Sequence, residues 1–221
     1  MRTKDWKAIN TPQILVVGED SNLQWSETVA KYAMFADYYF RNFPEDHGER
    51  SRNVESRNLF DYIMELTDHQ LTPEDVYITN LCNDEVEAAP KGKRTFIPEE
   101  KAAKGIEHIK WILSENPSIK CVLAMSLQTN YWLQKLGFYE SNADFLQAAE
   151  PFPPFYQPVD GKAFISICGK IYEATDLPVK VFPVLPAKDY PLSEQNRERY
   201  AKGLEQVTKF FRENKIFQEP V

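Results

Sequence analysis

Positive charge is in short supply. The chain carries a net charge of -7. Indiscriminate phosphate binding needs a basic surface, which this balance does not provide. A small basic strip on an acidic body stays open. Cysteine is scarce too. Cys82, Cys121 and Cys168 lie far apart, with no Cys-x-x-Cys pair. That argues against a zinc or iron–sulfur site built on cysteines. Cys121 and Cys168 sit in strand-like apolar runs, where buried free thiols are expected, and such thiols fit a reducing cytosol. Long apolar runs are missing. No segment approaches the ~20 apolar residues of a membrane span, and the opening "MRTKDWKAINTPQ" has no apolar signal core. A cytoplasmic protein without a membrane partner is expected. Repeats, low-complexity tracts and linkers are also absent, so the 221 residues read as one domain.

What is present is a folding composition, with 43% hydrophobic and 13% aromatic residues. Four apolar runs read as strands: 14–17, 76–80, 121–125 and 179–185. Residues 25–43 contain no breaker and read as a helix. Residues 44–58 are polar and mixed in charge, and read as an exposed loop. Helical spacing continues over 59–66, and Thr72-Pro73 is a helix-start pair. Pro98 opens a helix whose Ala102, Ile106, Ile109 and Leu113 share a face. Ser126 is placed to cap a helix that Gly137 ends. Residues 148–161 form a Pro-rich, aromatic wrap, and 163–173 read as a short hairpin or ribbon. Ser193 opens a last helix with Tyr200, Leu204, Val207 and Phe211 on one stripe. The alternation predicts a three-layer α/β/α sandwich around a mainly parallel four-stranded sheet.

In such sheets ligands bind beyond the carboxyl ends of the strands. Those exits supply Gly18, Glu19, Asp20, Ser21 and Asn22; Thr79, Asn80 and Asn83; Met125 and Ser126; and Pro186, Lys188, Asp189 and Ser193. Topology, not sequence, brings them to one rim.

These exits also carry a resemblance. "ILVVGEDSN" resembles the first motif of the uracil-DNA glycosylase superfamily, a strand running into Gly-Gln-Asp-Pro-Tyr or Gly-Glu-Ala-Pro-Gly. "VYITNLCN" is similar to its second strand. The helix, strand and turn over 98–133, with "NPSIKCVLAMS", resemble the next segment. "VFPVLPAKDYPLS" is similar to the closing His-Pro-Ser-Pro-Leu-Ser. The order agrees over roughly residues 12 to 215. The resemblance implies a DNA-repair type of hydrolase, with Asp20 positioning the attacking water and Asn80 bonding a flipped base. Leu185 stands where the family places the histidine that stabilises the leaving anion. Ser21 replaces a proline, and Asn22 the tyrosine that blocks thymine.

Cleaving an N-glycosidic bond builds positive charge on the sugar and negative charge on the base. A fixed carboxylate and hydrogen-bond donors favour that separation. An extruded base is read along its Watson–Crick edge. The candidate catalytic residues are Asp20 and Glu19. Gly18, Ser21, Asn22, Asn80, Pro186, Lys188 and Ser193 are candidates for substrate binding. DNA, a nucleotide or a free base is the expected partner, with no cofactor, metal or iron–sulfur cluster. Two alternatives stand beside this reading: a regulatory or binding module that kept the fold and lost the chemistry, and a metal-assisted hydrolase using Glu19 and Asp20 around Mg²⁺.

Each candidate also has a plain structural reading. Asp20 can serve a helix entry, Asn80 and Asn83 a turn. Glu19 reads as a structural or solvated neighbour. Lys91, Lys93, Arg94 and Lys188 form basic tips that are solvated or hold phosphate. His47, His69 and His108 lack metal-ligand spacing and read as ordinary surface histidines. Phe152, Phe155 and Tyr156 cover core or stack on a base.

Overall fold

A computed structural model describes residues 3–20, 31–41, 47–84, 94–151, 153, 155–156, 162–187 and 192–217. Its strands are β1 (Ile14–Asp20), β2 (Val76–Cys82), β3 (Arg94–Thr95), β4 (Cys121–Met125), β5 (Phe155–Tyr156), β6 (Tyr172–Glu173) and β7 (Lys180–Val184). Its helices are α1 (Asp37–Phe40), α2 (His47–Leu66), α3 (Glu99–Glu115), α4 (Leu127–Lys135), α5 (Ala143–Ala149), α6 (Lys162–Ile165) and α7 (Glu194–Asn214).

The main sheet runs β2-β1-β4-β7-β6. The four predicted strands are all parallel. The sheet has five strands rather than four, because short β6 adds an antiparallel edge to β7. The β-branched and apolar runs of β1, β2 and β4 are buried on both faces, as strands between two helical layers must be. Helices α3 and α4 cover one face, and α2, α7 and the turn Ala33–Phe35 cover the other. Gly105 lets α3 come close to the sheet: a Cβ there would lie 1.8 Å from the carbonyl oxygen of Leu81. The outer edge of β2 is not left open. Trp6 and Ile78 exchange backbone hydrogen bonds at 2.8 and 2.9 Å, so the N-terminal segment runs antiparallel along it.

Several expectations change. β1 continues through Gly18 and Glu19 to Asp20, because β2 pairs with it that far; Asp20 aligns with Cys82. The break predicted after residue 17 is therefore strand. Most of the loop expected over 44–58 is helix from His47 onward. Ser56, Leu59, Phe60 and Ile63 are buried at helical spacing while Glu55 and Asn58 face out. Of the helix expected over 25–43, residues 25–30 and 42–43 lie outside the described residues, and within 31–41 it is interrupted where Met34 and Phe35 adopt φ of 51° and 55°. Of the ribbon at 163–173, only Tyr172–Glu173 is strand, and Cys168 lies in the turns after α6. The buried faces of α3 and α7 are the predicted ones.

No helix among the described residues is long and apolar enough to cross a membrane.

Candidate functional site at the carboxyl rim of the sheet

The parallel register places Gly18 of β1 beside Asn80 of β2. Both lie on the α2/α7 side, under the turn Ala33–Phe35. A Cβ on Gly18 would meet Asn80 Oδ1 at 2.6 Å and Met34 Sδ at 2.9 Å. Glycine is therefore required here by space, not by its dihedral freedom. Asn80 is 1% exposed, and neither its Oδ1 nor its Nδ2 has a hydrogen-bond partner. A buried amide normally finds partners for both atoms, and an orphan costs roughly 1–3 kcal/mol. This side chain holds one donor and one acceptor in waiting, behind the thioether of Met34.

Met34 also lines a pocket of about 690 Å³ with Phe35, Glu55, Asn58, Tyr62 and Pro186. Met34 therefore reaches both the neighbourhood of Gly18 and Asn80 and the lining of that pocket. Among the described residues, the charged lining groups besides Glu55 are Asp61 and Glu65. An acidic lining repels phosphate and suits a neutral ring.

The far wall is fixed by two tyrosines. The Tyr62 and Tyr200 hydroxyls lie 2.8 Å apart, and the backbone N–H of Leu185 donates to Tyr200 Oη at 3.1 Å. Burial, and then Tyr200 itself, push the Tyr62 hydroxyl well above the usual tyrosine range. Leu185 is fully buried. Its side chain belongs to the core, so position 185 offers the pocket no donor.

Glu19 lies elsewhere. Strand alternation turns it to the α3/α4 face, opposite Asn80, where Gln128 Nε2 donates to its carboxylate at 2.9 Å. The same amide group donates to Thr95 O at 2.9 Å, while Gln128 Oε1 accepts from Ile97 N at 2.7 Å. Gln128 thus ties β1 to the segment that leads into α3. Next to it, Thr129 Oγ1 donates to Gly18 O at 3.1 Å. Ser126, the N-cap of α4, holds φ 108° and ψ 162°, a region that side chains avoid. Its Oγ accepts from Thr129 N, as a cap should. Three of the positive-φ residues, Met34, Phe35 and Ser126, therefore sit at the strand-end side of the sheet.

The rim thus brings together Gly18, Asn80 and, through Met34, Pro186. It places Glu19 on the opposite face. Asp20 pairs through its backbone with Cys82 at the end of β1. Ser193 is an exposed N-cap residue without a side-chain cap bond. Ser21, Asn22, Lys91, Lys93, Phe152 and Lys188 lie outside the described residues. Among the described residues no group of three or more His, Cys, Asp or Glu could hold a metal ion. Sequence reasoning missed Met34 and Gln128, which carry no motif. It also misread His108, which is no ordinary surface histidine: its Nε2 lies 2.7 Å from Asp5 Oδ2. Asn83, expected to serve a turn, bonds the same carboxylate at 2.8 Å.

No protein-family model matches the chain, and no curated protein matches it significantly.

Proposed function

We propose that this chain is a uracil-DNA glycosylase-like protein that binds a nucleobase at the carboxyl rim of its sheet, with the Asn80 amide reading the base edge. One observation carries the reading. Asn80 is buried with both amide atoms unpaired at the exit of a parallel strand, where such folds place ligands. A pyrimidine edge offers a donor beside an acceptor, which is what a carboxamide complements. The ring would enter from the 690 Å³ pocket by displacing Met34. In this reading Asp20 acts on the sugar side of an N-glycosidic bond, and the substrate backbone stays outside the acidic lining.

The buried Leu185 favours a second reading, a base-binding module without hydrolysis. The leaving base would lack a donor from position 185, and one missing donor to a developing anion is worth about 3–4 kcal/mol.

One experiment separates the readings. Binding and uracil release are measured on uracil-containing single-stranded DNA and on the same strand with an abasic site. Uracil-dependent binding that Asn80→Ala abolishes supports the base-reading claim. Release of free uracil that Asp20→Ala abolishes assigns the hydrolysis. Binding without release leaves the module. Equal affinity for the uracil and abasic strands ends the base-reading claim.

A further inference from the structure

On the opposite face of β2 lies a second, differently charged pocket. It measures about 650 Å³, within the range of small-ligand sites. The N-terminal segment, β2 and α3 build it, from residues that include Lys4, Lys7, Tyr32, Asn83, His108 and Trp111. Its floor is the carboxylate of Asp5, which accepts from four donors. Thr79 Oγ1 and Asn83 Nδ2 reach Oδ1 at 2.7 and 2.8 Å. Tyr77 Oη and His108 Nε2 reach Oδ2 at 3.3 and 2.7 Å. A carboxylate only accepts, so His108 carries its hydrogen on Nε2, and Nδ1 is left over. Asn83 is 8% exposed, and its Oδ1 has no partner.

His108 is thereby locked in place, and Trp111, one helical turn on, stacks against it at 5.5 Å with 15° between the planes. Trp111 is nevertheless 50% exposed. The helix thus presents a large flat ring, stacked on His108, in the lining of a pocket and leaves about half of it to solvent. Among the described residues the lining carries the charged groups Lys4, Lys7 and Asp5. Two lysines against one carboxylate leave this described lining with an excess of one positive charge, on a chain of net charge -7. A fixed aromatic platform beside two lysines complements a flat ring joined to an anion.

We infer that this pocket binds a mononucleotide-class ligand, its base stacked on Trp111 and its phosphate held by Lys4 and Lys7. The site is distinct from the rim holding Asn80 and does not depend on the reading given to that rim.

The test is calorimetric titration of the full chain with AMP, adenosine and inorganic phosphate. AMP is expected to bind saturably and more tightly than either adenosine or phosphate. Trp111→Ala, a change at a half-exposed position, should weaken AMP by roughly tenfold or more, the usual worth of a stacked base. Lys4→Ala combined with Lys7→Ala should bring AMP down to the affinity of adenosine and remove its salt dependence. The inference fails if millimolar AMP gives no saturable heat. It also fails if phosphate binds as well as AMP, or if Trp111→Ala binds AMP like the parent.

Discussion

Asn80 Oδ1 lies 2.6 Å from the point where a Cβ on Gly18 would stand. Two adjacent strands are thus held to a spacing that only glycine allows, around an amide that pairs with nothing. Gly18→Ala should cost about 1–3 kcal/mol, the usual range for an overpacked core. Asn80→Ala should cost less than about 1 kcal/mol despite the burial, because losing an orphan amide offsets the small cavity. The double variant should be no less stable than Gly18→Ala alone, since the nearer clash partner is gone and only the flexible Met34 side chain remains to shift. Urea unfolding of the four proteins checks all three. A loss of several kcal/mol for Asn80→Ala would show that the amide is structural.

Ser126 is the clearest site of stored backbone strain. Its φ of 108° costs a side chain roughly 1–3 kcal/mol. Replacing a capping serine with glycine costs only a few tenths. Ser126→Gly should therefore stabilise the protein, by about 1 kcal/mol. A lower melting temperature would mean that the Oγ bonds to Thr129 outweigh the strain.

The Tyr62–Tyr200 pair anchors the segment that carries Pro186. Tyr200→Phe strands both the Leu185 N–H and the Tyr62 hydroxyl in the interior, at about 1–3 kcal/mol for an unmade buried bond. Tyr62→Phe strands neither, because Tyr200 keeps its contact with Leu185, and should cost less. Denaturant midpoints of the two variants rank them.

Asp37 gives a pH-dependent test. Burial raises its carboxyl above the usual range, against the lowering effect of Arg41, which sits 2.7 Å away. A raised carboxylate binds its proton more tightly when folded. The penalty is therefore absent below the unfolded value near 3.8 and complete above the folded one. Asp37→Asn should stabilise the chain at pH 7, and the gain should shrink to nothing as the pH falls toward 3.8. Thermal melts across that window test it, and a gain that grows on acidification contradicts it.

Much of this architecture could be read from the chain. The apolar runs at 14–17, 76–80, 121–125 and 179–185 mark the parallel strands, and apolar spacing marks the buried faces of α3 and α7. The pairing of β1 with β2 follows from topology, so the neighbourhood of Gly18 and Asn80 was foreseeable. Other features had no local signal. The continuation of β1 to Asp20 depends on β2 as a partner, and residues 47–58 are helical because Ser56 meets a core that charge composition hides. The divergence of Glu19 from Asn80 follows from a period of two, which becomes visible only once the strand is known to reach residue 19. His108 and Asp5 stand 103 positions apart, beyond any spacing rule.

The most direct test of the account watches the Asn80 carboxamide itself. Its Nδ2 protons are identified in a nitrogen–proton correlation spectrum by their loss in Asn80→Ala, and followed as uracil-containing single-stranded DNA is added. Base reading predicts a saturable downfield shift of these protons, with slowed exchange, that an abasic strand does not produce. A carboxamide signal that stays still while the DNA binds would contradict it.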